Sequence, residues 1–124
     1  MIIGIGTDVV ELDRIRRIHE RFGLRFLEKL LVPEEIETLP PRPVATIAGR
    51  LAAKEAAVKA LGTGFSLGIS PGQVVILKDA LGRPLLDLRD AALERARALG
   101  VGASHLSISH ERSVAVAIVI LEKP

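Results

Sequence analysis

The sequence predicts an α+β fold, a helical N-terminal half packed on a mostly antiparallel sheet. Three observations carry this. Apolar residues recur at helical spacing through Leu12, Ile15, Ile18 and Phe22, and an alanine-rich helical stretch runs over Val44–Leu61. Four short strand-like runs crowd the second half: Gln73–Lys78, Leu85–Leu88, Ser104–Ser109 and Val114–Leu121. The chain has 124 residues, enough to bury one core, so a single domain over 1–124 is expected.

Each element has its own signal. Ile2–Gly6 reads as a short buried strand. Asp8 then reads as a helix N-cap, because Asp8-x-x-Glu11 fits the acidic form of the capping box. Gly23 ends that helix. Leu24–Leu31 adds a short one, and Pro33-Glu34-Glu35 starts another with proline at its first position. Pro40-Pro41-Arg42-Pro43 is a turn. Val44–Leu61 is the longest helix, with seven alanines, and Gly62 stops it. Asp79–Pro84, containing Gly82, turns between two strands. Asp90–Leu99 is a helix that Gly100 stops, and His110–Ser113 joins the last two strands.

Composition excludes several function classes. The longest strictly apolar run, Val114–Leu121, is too short to span a bilayer, so a mean hydropathy of +0.35 signals a rich core or a buried interface between copies. Met1 leads straight into Ile2–Ile5 without a basic segment or cleavage site, which argues against a secretory signal. The absence of cysteine removes disulfides and thiolate chemistry and fits a cytoplasmic protein. With three Phe, no Tyr and no Trp there is no platform for stacking nucleic-acid bases. Basic charge is local: Leu12–Arg25 carries five Arg against Asp13 and Glu20, a net of +3 where the whole chain has +2. An acidic partner suits that segment, whose Arg14, Arg17 and Arg21 fall on one helical stripe.

Two segments hold candidate chemistry. Asp8 reads as the helix cap or as a metal-binding carboxylate at the rim of a sheet, and one oxygen can cap while the other ligates. The stretch Arg50-Leu-Ala-Ala-Lys54-Glu55-Ala-Ala-Val-Lys59 reads as a solvated helix face, or as a phosphate and metal site. Small alanines let other backbone pack close to its charges, and Gly62-Thr63-Gly64 follows. Three cations, one carboxylate and a glycine loop suit a polyphosphate with a divalent ion. No GxxxxGK[ST] is present, which excludes a Walker-type nucleotide site. His105 and His110 alternate to opposite faces of their strand, and neither Ser107 nor Ser109 sits on the sharp turn that a hydrolase nucleophile needs.

These segments together resemble the bacterial holo-[acyl-carrier-protein] synthases, small phosphopantetheinyl transferases. The resemblance runs through Gly4–Ile15, Ala48–Ala56, Lys59–Gly64, Leu81–Pro84 and His105–His110, in the family's order. It implies the phosphopantetheinyl transferase fold. It also implies Mg²⁺-dependent transfer of 4′-phosphopantetheine from coenzyme A to a serine of apo acyl carrier protein, in fatty acid biosynthesis. Adenosine 3′,5′-bisphosphate is the other product. By position, Asp8 and Glu55 look like the magnesium carboxylates and Lys59 like the lysine facing the pyrophosphate. Arg50 and His110 look like groups facing the nucleotide phosphates, with Gly62, Gly82 and Pro84 along the coenzyme. Arg14 looks like a carrier contact. The resemblance further implies a homotrimer with sites between subunits. The family usually has an aromatic where Leu51 stands.

Overall fold

The computed structural model describes all of residues 1–124. The order is β1 (Ile2–Glu11), α1 (Leu12–Phe22), α2 (Leu24–Leu30), α3 (Pro33–Glu37), α4 (Val44–Ala60), β2 (Val74–Lys78), β3 (Pro84–Leu88), α5 (Asp90–Leu99), β4 (Ala103–His110) and β5 (Val114–Glu122). The expected mixed architecture is present. Its strands form two antiparallel sets, a three-stranded sheet in the order β1-β5-β4 and a β2-β3 ribbon.

The opening strand differs from expectation. It runs ten residues, pairing with β5 from Ile2↔Glu122 to Glu11↔Val114, so Asp8 lies inside a strand opposite Ala117 and caps no helix. Pairing with a segment more than a hundred residues away overrides the local cap signal. The N-cap of α1 is Glu11, which makes no side-chain cap bond, and the Leu12 amide donates to the Ser113 carbonyl at 2.9 Å. Gly23 does end α1, at φ +53, and Gly100 ends α5 in the left-handed region, at φ +80.

The core lies between α4 and the inner face of the three-stranded sheet. Ala115, Ala117, Val119 and Leu121 alternate inward along β5 and meet the alanine surface of α4. Close packing here depends on two glycines of β1. A Cβ on Gly4 would lie 2.2 Å from the Ala60 carbonyl oxygen, and one on Gly6 would lie 1.8 Å from that of Ala56. Over β4, a Cβ on Gly49 would lie 2.9 Å from Ile108. The helix therefore crosses the sheet obliquely, its early turns over β4 and its later turns over β1. The outer face carries Ile5, Val9, Val116 and Ile118, all exposed, with Val9 reaching 61%. No helix is long and apolar enough to cross a membrane.

Candidate active site

The oblique course of α4 sorts the candidate residues into two groups. On the β1 flank, Lys59 Nζ donates to Asp8 Oδ1 at 3.1 Å and to the Thr7 carbonyl at 3.0 Å. Glu55, one helical turn before Lys59, completes this group. Burial pushes the Glu55 carboxyl above its ordinary value and the Asp8 charge pushes it further, while Lys59 and Arg14 pull it down. Two half-buried carboxylates that repel each other are hard oxygen donors short of positive charge, which is what a divalent cation relieves. No third His, Cys, Asp or Glu joins them, so the remaining ligands would be other oxygens, from backbone, water or substrate.

On the β4 flank, Arg50, His110, Gly82 and Pro84 line one cavity of about 190 Å³ together with Lys78 and Thr46. Ile76 and Ile108 supply its apolar walls. Three basic side chains around an apolar slot suit a flat ring bearing phosphate groups. Neither Lys78 nor Thr46 was legible as a site residue: Lys78 ends a strand, and only the folding of the β2-β3 ribbon against α4 brings it to Arg50. Gly82 lies in the Asp79–Arg83 turn at φ +84, its amide bonded to the Asp79 carbonyl at 3.0 Å.

The two groups lie apart in one chain. Nine residues at about 100° each put Arg50 and Lys59 on opposite sides of α4. Asp8 pairs with Ala117, which pairs with Ile108, so the flanks are two strand spacings apart, about 10 Å. None of Asp8, Glu55 and Lys59 lines the Arg50 cavity.

Two expectations about the α4 charges are corrected. Only part of the stretch is solvated: Lys59 is exposed and Glu55 half-buried, whereas Arg50 is 4% exposed and Lys54 0%. Lys54 is no phosphate ligand: its ammonium is spent on Glu35, 2.8 Å away, and on the Pro71 carbonyl. Gly62 serves the helix end. Its amide bonds the Lys59 carbonyl, and those of Thr63 and Gly64 both bond the Val58 carbonyl, so none is free for phosphate. Leu51 packs half-buried against the core. Arg14, Arg17 and Arg21 are all exposed on α1, as the stripe predicts. Phe22 leaves its expected core place, 45% exposed, with the Arg21 guanidinium 5.2 Å from its ring centre. It borders a groove of about 240 Å³ with Ile18, Phe26, Arg25 and Lys29.

Residues 4–119 match the 4′-phosphopantetheinyl transferase superfamily. The chain belongs to that superfamily. Within it, the chain belongs with the holo-[acyl-carrier-protein] synthases and is an enzyme of this transferase class. It is 57% identical over 122 residues to the holo-[acyl-carrier-protein] synthase of Desulfovibrio desulfuricans, covering 98% of each chain. The crystal structure of the Neisseria meningitidis synthase superposes with a TM-score of 0.89 at 40% identity, over 99% of this chain and 100% of that one. That of the Helicobacter pylori synthase in complex with coenzyme A gives 0.85 at 34% identity, over 95% and 99%. The fold of these transferases is thus the fold described above.

Proposed function

We propose that this single-domain chain transfers the 4′-phosphopantetheine arm of coenzyme A to a serine of an apo acyl carrier protein, serving fatty acid biosynthesis in the cytoplasm. The observation that carries this reading is the pairing of an Asp8–Glu55–Lys59 group with a basic, apolar-walled cavity around Arg50 and His110. The coenzyme A bound by the Helicobacter pylori relative supports it.

In this reading the serine oxygen bonds to the phosphorus of the pantetheine arm. The bond from that phosphorus to its bridging oxygen breaks, adenosine 3′,5′-bisphosphate leaves with that oxygen, and the serine proton passes to water. Charge grows on phosphoryl oxygens, so fixed cations and positioning do most of the catalysis. Asp8 and Glu55 would hold Mg²⁺, which supplies positive charge to those oxygens when bound. Lys59 supports the same charge from a side chain already held at Asp8. Arg50, Lys78 and His110 hold the nucleotide phosphates, and Ile76 and Ile108 flank the base.

Separation of the two groups supports a site completed by a second copy. The exposed apolar outer face of β1 and β5 supports the same conclusion, and we assign the assembly as a homotrimer. The carrier docks on α1. Arg14, Arg17 and Arg21 face its acidic surface, and the neighbouring groove between Ile18 and Phe26 takes an apolar side chain.

Incubation with coenzyme A, Mg²⁺ and apo carrier protein tests the activity. The carrier gains the mass of one phosphopantetheine. An unmodified carrier would point to a binding module, and phosphate release without modification would point to a different phosphotransferase.

A further inference from the structure

Glu35 stands at the centre of a buried polar clasp that the transfer chemistry leaves unused. The residue is 1% exposed, and both its carboxylate oxygens are engaged. Oε1 accepts from Lys54 Nζ at 2.8 Å and from the Val32 amide at 3.0 Å, and Oε2 accepts from the Ile76 amide at 3.2 Å. The last contact has a structural reason. β2 pairs only with β3, so the amides along its other edge lack a strand, and Glu35 takes one of them.

α3 and its C-cap Thr38 also hold Arg50. One terminal guanidinium nitrogen donates to the Glu35 carbonyl, and the other donates to Thr38 Oγ1 at 3.0 Å. Thr38 in turn donates to the Glu35 carbonyl at 3.0 Å. Arg50 and Ile76 both line the nucleotide cavity. Glu35 and Thr38 therefore tie two separate walls of that cavity and are not among its lining residues, although Thr38 lines a second cavity shared with Arg50, Ile76 and Lys78. Burying an ion pair such as Glu35–Lys54 is a poor source of net stability, because desolvation offsets the attraction. What the pair contributes instead is a fixed geometry between α3, α4 and β2.

We propose that Glu35 and Thr38 are positioning residues that hold Arg50 and the Ile76 wall in register, and so set affinity for the nucleotide part of coenzyme A. This rests on the nucleotide occupying that cavity. Titration calorimetry with adenosine 3′,5′-bisphosphate tests it without needing transfer. Thr38→Val removes one hydroxyl at an exposed turn and should leave the melting temperature near wild type while weakening the nucleotide about threefold. Glu35→Gln/Lys54→Met removes both buried charges and leaves one acceptor oxygen where two served. It should weaken the nucleotide about tenfold, raise KM for coenzyme A alike, and leave kcat and the carrier KM near wild type. Wild-type nucleotide affinity in both folded variants would overturn the proposal. If the double variant does not fold, Thr38→Val decides alone. A wild-type protein that binds no nucleotide would instead overturn the functional reading, and this proposal with it.

Discussion

Lys59 Nζ lies 3.1 Å from Asp8 Oδ1, joining the last turns of α4 to the middle of β1 across fifty-one residues of sequence. That contact exists because Gly4 and Gly6 let the α4 backbone lie directly on the strand. The glycines set the distance, and the distance makes Asp8, Glu55 and Lys59 one group.

Asp8→Asn should reduce transfer about 100-fold or more while leaving the fold intact, because Asp8 caps no helix and Lys59 keeps its bond to the Thr7 carbonyl. Glu55→Ala should do the same. Steady-state transfer rates with matched melting curves check both. Near-full activity of Asp8→Asn at limiting Mg²⁺ would remove Asp8 from the site.

Gly6→Ala should lower stability by about 3 kcal/mol, near 10 °C in melting temperature, because its methyl would sit on the Ala56 carbonyl oxygen. Gly72→Ala is the control: its Cβ would meet only Val32, at 3.8 Å. Thermal melts of both variants make the comparison, and equal midpoints would contradict the packing account.

Much of this was legible in the sequence, and the misses have physical causes. Gly23 and Gly100 marked helix ends because positive φ is a local property. The alanines of α4 correctly signalled close backbone approach. Asp8 misled because its strand partner, Ala117, is remote, and the nearby Glu11 imitates a cap pattern. Lys54 and Lys59 each sit one turn from another charge in the sequence, Arg50 and Glu55, but lie about 140° apart around α4. Only the arrival of Glu35 from α3 buries one of them and leaves the other on the β1 flank. Lys78 joined the Arg50 cavity through tertiary folding alone.

Proton binding at Glu55 should follow its neighbours. Its raised carboxyl means the folded chain holds that proton to higher pH than the unfolded chain does. The stability associated with the protonated form is therefore full below the ordinary 4.5 and is lost as pH rises through the folded value. Asp8→Asn removes a like charge and should move the Glu55 midpoint down. Carbon-13 NMR titration of the side-chain carboxyls in metal-free protein measures this, and an unmoved or raised midpoint would contradict the coupling.

Arg21→Glu should raise KM for the carrier about tenfold and leave coenzyme A affinity unchanged, since Arg21 lies on α1 away from the cavity. Arg14→Ala should act in the same direction. For the wild type, the carrier KM should climb with ionic strength between low and physiological salt. A charge-reversed protein with unchanged carrier KM and salt dependence would place docking elsewhere.

In the proposed assembly one copy supplies the Asp8–Glu55–Lys59 group and another the Arg50 cavity. Mixing two inactive variants, Asp8→Asn and Arg50→Ala, after dissociation and reassembly tests it most directly. Random assembly into rings leaves about a quarter of the interfaces with both halves intact, so the mixture should recover about that share of wild-type transfer. A mixture as inactive as its parents, despite proven subunit exchange, would mean that both halves of the site come from the same chain.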